Sequence, residues 1–223
     1  DPVRFFEREA FENMNFARRA LSKFLKADPD GMTFCQNATS GINTVLRSLV
    51  LNRGDEIIVP NHSYQACWNA IDFVASRWGA KVVIVDLPFR CDSEEEIIEP
   101  LLAAISPKTV LAMIDTVTSP TGLRMPFEKL VDEFQSRGVD VLLDAAHGPG
   151  VVPMDLDKLD VAWVTGNCHK WLCSPKGSAF LHIREDKKKE TKPLTISHGH
   201  SADLSPQEKF RFEFDWQGTR DPT

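Results

Sequence analysis

The 223-residue sequence has one tyrosine, no glycine-rich phosphate loop and no long apolar run. Without G-x-G-x-x-G or a Walker loop, the usual cradles for dinucleotides and ATP are missing. Without an apolar stretch of about 18 residues, no membrane-spanning helix is expected. Basic residues do not cluster into a nucleic-acid surface: 26 Lys and Arg stand against 32 Asp and Glu, for a net charge of −6. The basic run Lys187-Lys188-Lys189 follows Arg184-Glu185-Asp186 and reads as a solvated loop. The opening stretch "DPVRFFEREAFENMNFARRALSKFLK" is charged throughout and does not read as a signal peptide. Cys35, Cys67, Cys91, Cys168 and Cys173 are odd in number and unpaired in spacing. Free thiols in a reducing compartment, the cytoplasm, are expected.

What is present is 42% hydrophobic, enough for one sizeable core. Phe6, Ala10, Met14, Ala17, Leu21 and Leu25 recur at helical spacing, with Phe11 and Phe24 beside them, until Asp28-Pro29-Asp30-Gly31 breaks the pattern. Short apolar runs then alternate with amphipathic stretches. The runs are "MTFC", "DEIIVP", "KVVIVDL", "TVLAMID", "VDVLLDAA", "DVAWVT" and "SAFLHI". They are rich in Val, Ile and Leu with little polar alternation, as in strands buried on both faces. The expected fold class is α/β, a mostly parallel central sheet flanked by helices. Ser93 with Glu96 fits a capping box before one of the helices. From Lys187 onward no clear periodicity is visible.

Ligands of open α/β sheets sit beyond the carboxyl ends of the strands. Five strand ends carry polar residues: "QNATSG", "NHSYQA", "DTVTSPTG", "DAAHGPG" and "TGNCHKW". Ala38, Thr39 and Ser40 lead into a helix, whose unpaired N–H groups and dipole suit a phosphate; equally, Thr39 or Ser40 serves as the cap. His62 or Tyr64 offers a ring to stack on a flat ligand, or a ring that packs on its neighbours. Ser119 lies in the turn Thr118-Ser119-Pro120-Thr121-Gly122. Asp144 ends a buried run and needs a cation or a cap as partner. His147 can donate to a ligand or to a backbone carbonyl. In "GNCHKWLCSPKG", Asn167 and His169 surround Lys170. Its amine can form a Schiff base if apolar neighbours such as Trp171 and Leu172 favour the neutral form, and is otherwise an ordinary surface lysine. Cys168, His169 and Cys173 match no common zinc spacing, and no metal is expected. A phosphate, a flat ring, a ring cation and a lysine together describe pyridoxal phosphate.

The segments "NATSGINTVLRSL", "NHSYQACWNA", "DTVTSPTG", "LLDAAHGPG", "GNCHKWLCSPKGSAFL" and "WQGTRDPT" span nearly the whole chain. In that order they resemble the class V aminotransferase group of fold-type I pyridoxal phosphate enzymes. The resemblance is to the branch of isopenicillin N epimerase and hercynylcysteine sulfoxide lyase. It implies Lys170 as the Schiff-base lysine and later proton shuttle, and Asp144 as partner of the pyridine nitrogen. It implies Ala38 and Thr39, with Ser40, at the phosphate, and Asn167 and His169 completing the surroundings of phosphate or lysine. His147 and Ser119 would contact the phenolic oxygen, and Tyr64, or else His62, would stack on the ring. Gly218 and Thr219 would reach the phosphate of a neighbouring subunit, implying a homodimer with its site at the interface.

The implied activity acts at the α carbon of a small amino acid, ending in C–S β-elimination or in epimerisation. Transamination, or a non-catalytic apo-fragment that keeps the fold, is the alternative. Chains of the family continue into a smaller C-terminal domain with the arginine for the substrate carboxylate. The expectation is therefore an N-terminal helical segment over residues 1–30 and a cofactor-binding large domain over residues 31–223, with the small domain missing.

Overall fold

The computed structural model describes residues 1–217. Seven strands form one sheet: β1 (Met32–Cys35), β2 (Glu56–Pro60), β3 (Lys81–Val85), β4 (Thr109–Asp115), β5 (Asp140–Asp144), β6 (Trp163–Asn167) and β7 (Ala179–Ile183). Their order is β1-β7-β6-β5-β4-β2-β3, with β7 antiparallel to both neighbours and the other pairings parallel. Each apolar run in the sequence became a strand, which establishes the mostly parallel α/β sheet. Strand β6 starts later than its run and extends through Asn167, so Asn167 belongs to the strand itself.

The helices are α1 (Pro2–Arg4), α2 (Ala10–Leu25), α3 (Ala38–Ser48), α4 (Gln65–Trp78), α5 (Glu95–Ala103), α6 (Phe127–Ser136), α7 (Leu156–Leu159) and α8 (Pro206–Asp215). Strand side chains alternate between faces, and two apolar clusters result. On one face Ala112, Ile114, Val141 and Leu143 pack with Leu130, Val131 and Phe134 of α6 and with Leu101 of α5. On the other, Leu111, Met113 and Leu142 pack with Ile42, Val45 and Leu46 of α3 and with Ile71 and Val74 of α4. By the same alternation, Asp115 and Asp144 fall on the α3/α4 face.

Three local expectations change. The buried stripe of α2 is Ala10, Met14, Arg18, Ser22 and Leu25, and Ala17 and Phe24 face outward. Arg18 is admitted because Asp215 neutralises it at 2.6 Å, both side chains being almost fully buried. Helix α5 is capped at Glu94 with no side-chain bond; Glu96 reaches back to the Asp92 N–H, so the capping box at Ser93 does not form. The tail does contain a helix, α8, opened by a capping box of Ser205 with Glu208 and by Pro206 in its first turn.

Gly41 of α3 lies hard against β6. A Cβ there would collide with Thr165 Oγ1 and Cβ, and Thr165 is fixed by donating its hydroxyl to the Phe180 carbonyl at 2.7 Å. This approach seats the start of α3 beside the end of β6. Gly41→Ala is therefore expected to lose about 1–2 kcal/mol of stability, overpacking outweighing the gain in helix propensity. Urea unfolding of the two proteins checks this; a variant as stable as its parent contradicts the close approach.

Candidate active site

Strands β4 and β5 pair so that Asp115 lies directly opposite Asp144. Both are last residues of buried strands, at 2% and 3% exposure. Asp144 Oδ1 accepts the Ala146 N–H at 2.8 Å, and Oδ2 faces the Cys67 thiol of α4 at 3.3 Å. Asp115 Oδ2 accepts the Ser63 hydroxyl. Burial raises the pKa of both carboxyls, and for Asp115 the charge of Asp144 raises it further. For Asp144, the Ala146 and Cys67 bonds and the charges of Lys170 and His147 pull the other way. Burial, and then Asp144, also push the Cys67 thiol up, so it stays protonated and donates.

Lys170 stands in the turn after β6, half-buried. The turn is closed by Cys173 N–H to the Lys170 carbonyl at 3.2 Å and Ser174 N–H to the Cys168 carbonyl at 3.1 Å. Lys170 Nζ lies 2.8 Å from His147 Nε2, and the Trp171 indole N–H donates to His147 Nδ1 at 3.0 Å. Burial lowers the Lys170 pKa, while Asp144 and Cys67 oppose the shift. The His147 pKa is lowered too, by burial and then by Lys170.

The start of α3 faces the same space. Its cap is Asn37, whose Oδ1 accepts the Ser40 N–H at 2.8 Å and the Ser40 hydroxyl at 3.2 Å. The cap is thus neither Thr39 nor Ser40. Asn167 Oδ1 accepts the Ala38 N–H at 2.9 Å, tying the helix start to the end of β6.

One small cleft, partly open to solvent, gathers most of the expected residues. Ala38, Thr39, Tyr64, Ser119, Asp144, His147, Asn167 and Lys170 line it, together with Asp115, Val117 and Ala146. Three expected residues lie elsewhere. Ser40 is held by Asn37 and lines a different cavity. His62 is buried, with Nδ1 3.1 Å from Thr121 Oγ1 and Nε2 3.3 Å from the Leu87 carbonyl. His169 Nδ1 accepts the Ser178 N–H at 3.1 Å and braces the turn. Gly218 and Thr219 fall outside the described residues. Among the described residues no cluster of His, Cys, Asp and Glu is arranged for metal.

Sequence reasoning missed Asp115, Ser63 and Cys67. Asp115 carried the same signal as Asp144, a carboxylate ending a buried run. Ser63 and Cys67 carried none, because their roles come from the approach of α4 to the sheet.

The sequence profile described as "Aminotransferase class-V" matches residues 3–217. The isopenicillin N epimerase of Amycolatopsis lactamdurans is 33% identical over 99% of this chain and 58% of its own length. The hercynylcysteine sulfoxide lyase of Schizosaccharomyces pombe is 28% identical over 84% of this chain and 48% of its own length. The chain thus spans about half the length of these relatives. A cystine C–S lyase solved with its product cysteine persulfide superposes with a TM-score of 0.80, at 21% identity over 96% of this chain and 64% of that one. That likeness shows the fold.

The carboxyl pair predicts a pH dependence of stability. Unfolded, Asp115 releases its proton near pH 4, whereas the folded chain holds it to higher pH. Between those limits folding takes up a proton, so stability falls as pH rises, by at most about 1.4 kcal/mol per pH unit for one group. The slope ends above the folded pKa. Asp115→Asn is expected to flatten it, as measured by urea unfolding from pH 4 to 8; an equal slope in both proteins contradicts the shared burial.

Proposed function

Because this chain belongs to the aminotransferase class-V family, we propose that it binds pyridoxal phosphate through Lys170 and acts at the α carbon of a small amino acid. The carrying observation is the half-buried Lys170 amine in one cleft with the buried carboxyl of Asp144 and the start of α3. The cleft suits the group. Among the described residues, Asp144 Oδ2 has only a thiol at 3.3 Å as donor, a weak partner for a buried carboxylate, which a ring N–H cation would improve. Thr39 and the positive end of α3 suit a phosphate. Tyr64, at 45% exposure, lines the cleft and brings an aromatic ring to it.

In this reading Asp144 would keep the ring nitrogen protonated, Tyr64 would stack on the ring, and Ser119 and His147 would supply donors to the phenolic oxygen. Lys170 would hold the group through its amine, and that amine, when free, would accept the α proton. When bound, pyridoxal phosphate supplies the electron sink that makes loss of that proton feasible. His147 sits where it can relay a proton to or from Nζ. With the α proton removed, departure of a β-sulfur group completes C–S cleavage. That outcome is the one proposed, in keeping with the relative named hercynylcysteine sulfoxide lyase. Epimerisation is the second reading, favoured by the 33% identity to an isopenicillin N epimerase. A homodimer and a cytoplasmic setting are supported by the family resemblance and by the five free cysteines.

A substrate panel on the full-length protein tests the reaction, following pyruvate, ammonia, sulfur release and α-proton exchange together. Equal yields of pyruvate, ammonia and sulfide from a cysteine-type substrate are expected. Exchange with inversion and no sulfur release selects the epimerase, and neither outcome contradicts both readings. Asp144→Ala is expected to weaken cofactor retention about 10- to 100-fold, the scale of one charged hydrogen bond. Equilibrium dialysis measures it, and unchanged retention removes Asp144 from the site.

A further inference from the structure

The His147 ring is engaged at both nitrogens, and the two contacts constrain each other. Trp171 Nε1–H donates to Nδ1 at 3.0 Å, and an indole nitrogen can only donate. Nδ1 therefore carries no proton, and the neutral ring carries its proton on Nε2. Nε2 is 2.8 Å from Lys170 Nζ. An ammonium has donors and no lone pair. An Nε2–H facing it at this distance is a hydrogen bond only if Lys170 is the neutral amine. The opposite arrangement, a Lys170 ammonium donating to a bare Nε2, places the ring proton on Nδ1, directly against the Trp171 N–H.

We propose that Trp171 is a positioning residue: its indole N–H fixes His147 as the Nε2–H tautomer, and His147 in turn holds Lys170 as the neutral amine, the form that attacks a carbonyl carbon. This rests on the reading of Lys170 as the cofactor lysine and adds how that lysine is kept reactive.

The backbone supports the contact. Gly150 has φ +86°, and a Cβ there would meet the Trp171 carbonyl oxygen at 2.7 Å. The loop after β5, which carries His147, thus lies directly against the turn that carries Lys170 and Trp171. Trp171 is 57% exposed, so its place in this arrangement does not come from burial in a core. Its ring is tilted 57° to the imidazole with centroids 6.4 Å apart, an orientation that offers the N–H edge rather than a stacked face.

The other groups facing Lys170 set the balance. Asp144 at the end of β5 and Cys67 on α4 favour the ammonium, and burial disfavours it. Asp115 at the end of β4 and the Tyr64 phenol line the same cleft. His147 and Lys170 are the cleft's basic side chains. The His147 proton on Nε2 is the added element that tips Lys170 to the amine, and it depends on a donor at Nδ1.

The test uses the full-length protein without cofactor, comparing the parent with Trp171→Phe, which keeps the apolar ring and loses the donor. Long-range ¹H–¹⁵N spectra report the His147 tautomer, and the ¹³Cε shift of Lys170 against pH reports its titration. Expected are an Nε2–H tautomer in the parent, a mixed tautomer in Trp171→Phe, and a Lys170 midpoint about one pH unit higher in that variant, a roughly ten-fold loss of neutral amine below it. In a His147→Phe background, Trp171→Phe is expected to shift the midpoint no further; a purely structural tryptophan would shift it equally in both. An Nδ1–H tautomer in the parent, or an unmoved midpoint in Trp171→Phe, overturns the proposal. These readouts need no cofactor. A parent that forms no adduct on Lys170 with added pyridoxal phosphate defeats the underlying reading instead, so the two failures are distinguishable.

Discussion

Asp144 is buried to 3% at the end of β5, with Asp115 paired beside it and α4 packed over it. A carboxylate taken out of water must be given hydrogen bonds or a counter-charge. The molecule gives Asp144 one backbone N–H, one thiol and the half-buried Lys170 amine in the same cleft. The demand of this carboxyl for a better cation is the clearest physical statement the structure makes about its ligand. The cleft lies where β4, β5 and β6 end, beside the start of α3.

The remaining parts hold positions around that carboxyl. Asn167 reaches from the last position of β6 to the Ala38 N–H, so the positive end of α3 cannot drift from the strand that leads to Lys170. Gly41 brings α3 onto Thr165, and Gly150 brings the His147 loop onto Trp171. One glycine thus acts on β6 and the other on the turn that follows it. Helix start, carboxyl and lysine are thereby set by backbone packing, and the side chains that perform the proposed chemistry need little freedom to meet.

The sheet was legible because unbroken Val, Ile and Leu runs leave few alternatives to strands buried on both faces. The strand-end rule pointed to Lys170, Asp144, Thr39 and Tyr64, and these four line one cleft. His62, the alternative to Tyr64, is buried away from that cleft, with its two ring nitrogens facing Thr121 and the Leu87 carbonyl. The capping alternative for Ser40 does not hold, since Asn37 one turn earlier supplies the cap. Trp171 was read as an apolar wall, yet it contributes an N–H, a difference that only the approach of the His147 loop reveals. Helix α8 was readable from Ser205, Pro206 and Glu208, but its apolar stripe is short, and its buried Asp215 pairs with the distant Arg18.

The central claim is that Lys170, and no other lysine, bonds covalently to pyridoxal phosphate in this cleft. Borohydride reduction of the reconstituted full-length protein, followed by peptide mass mapping, tests it directly. The account predicts a stoichiometric pyridoxyl mass increment on the peptide carrying Lys170. An increment on another lysine, or none with Lys170 intact and the protein folded, would contradict it.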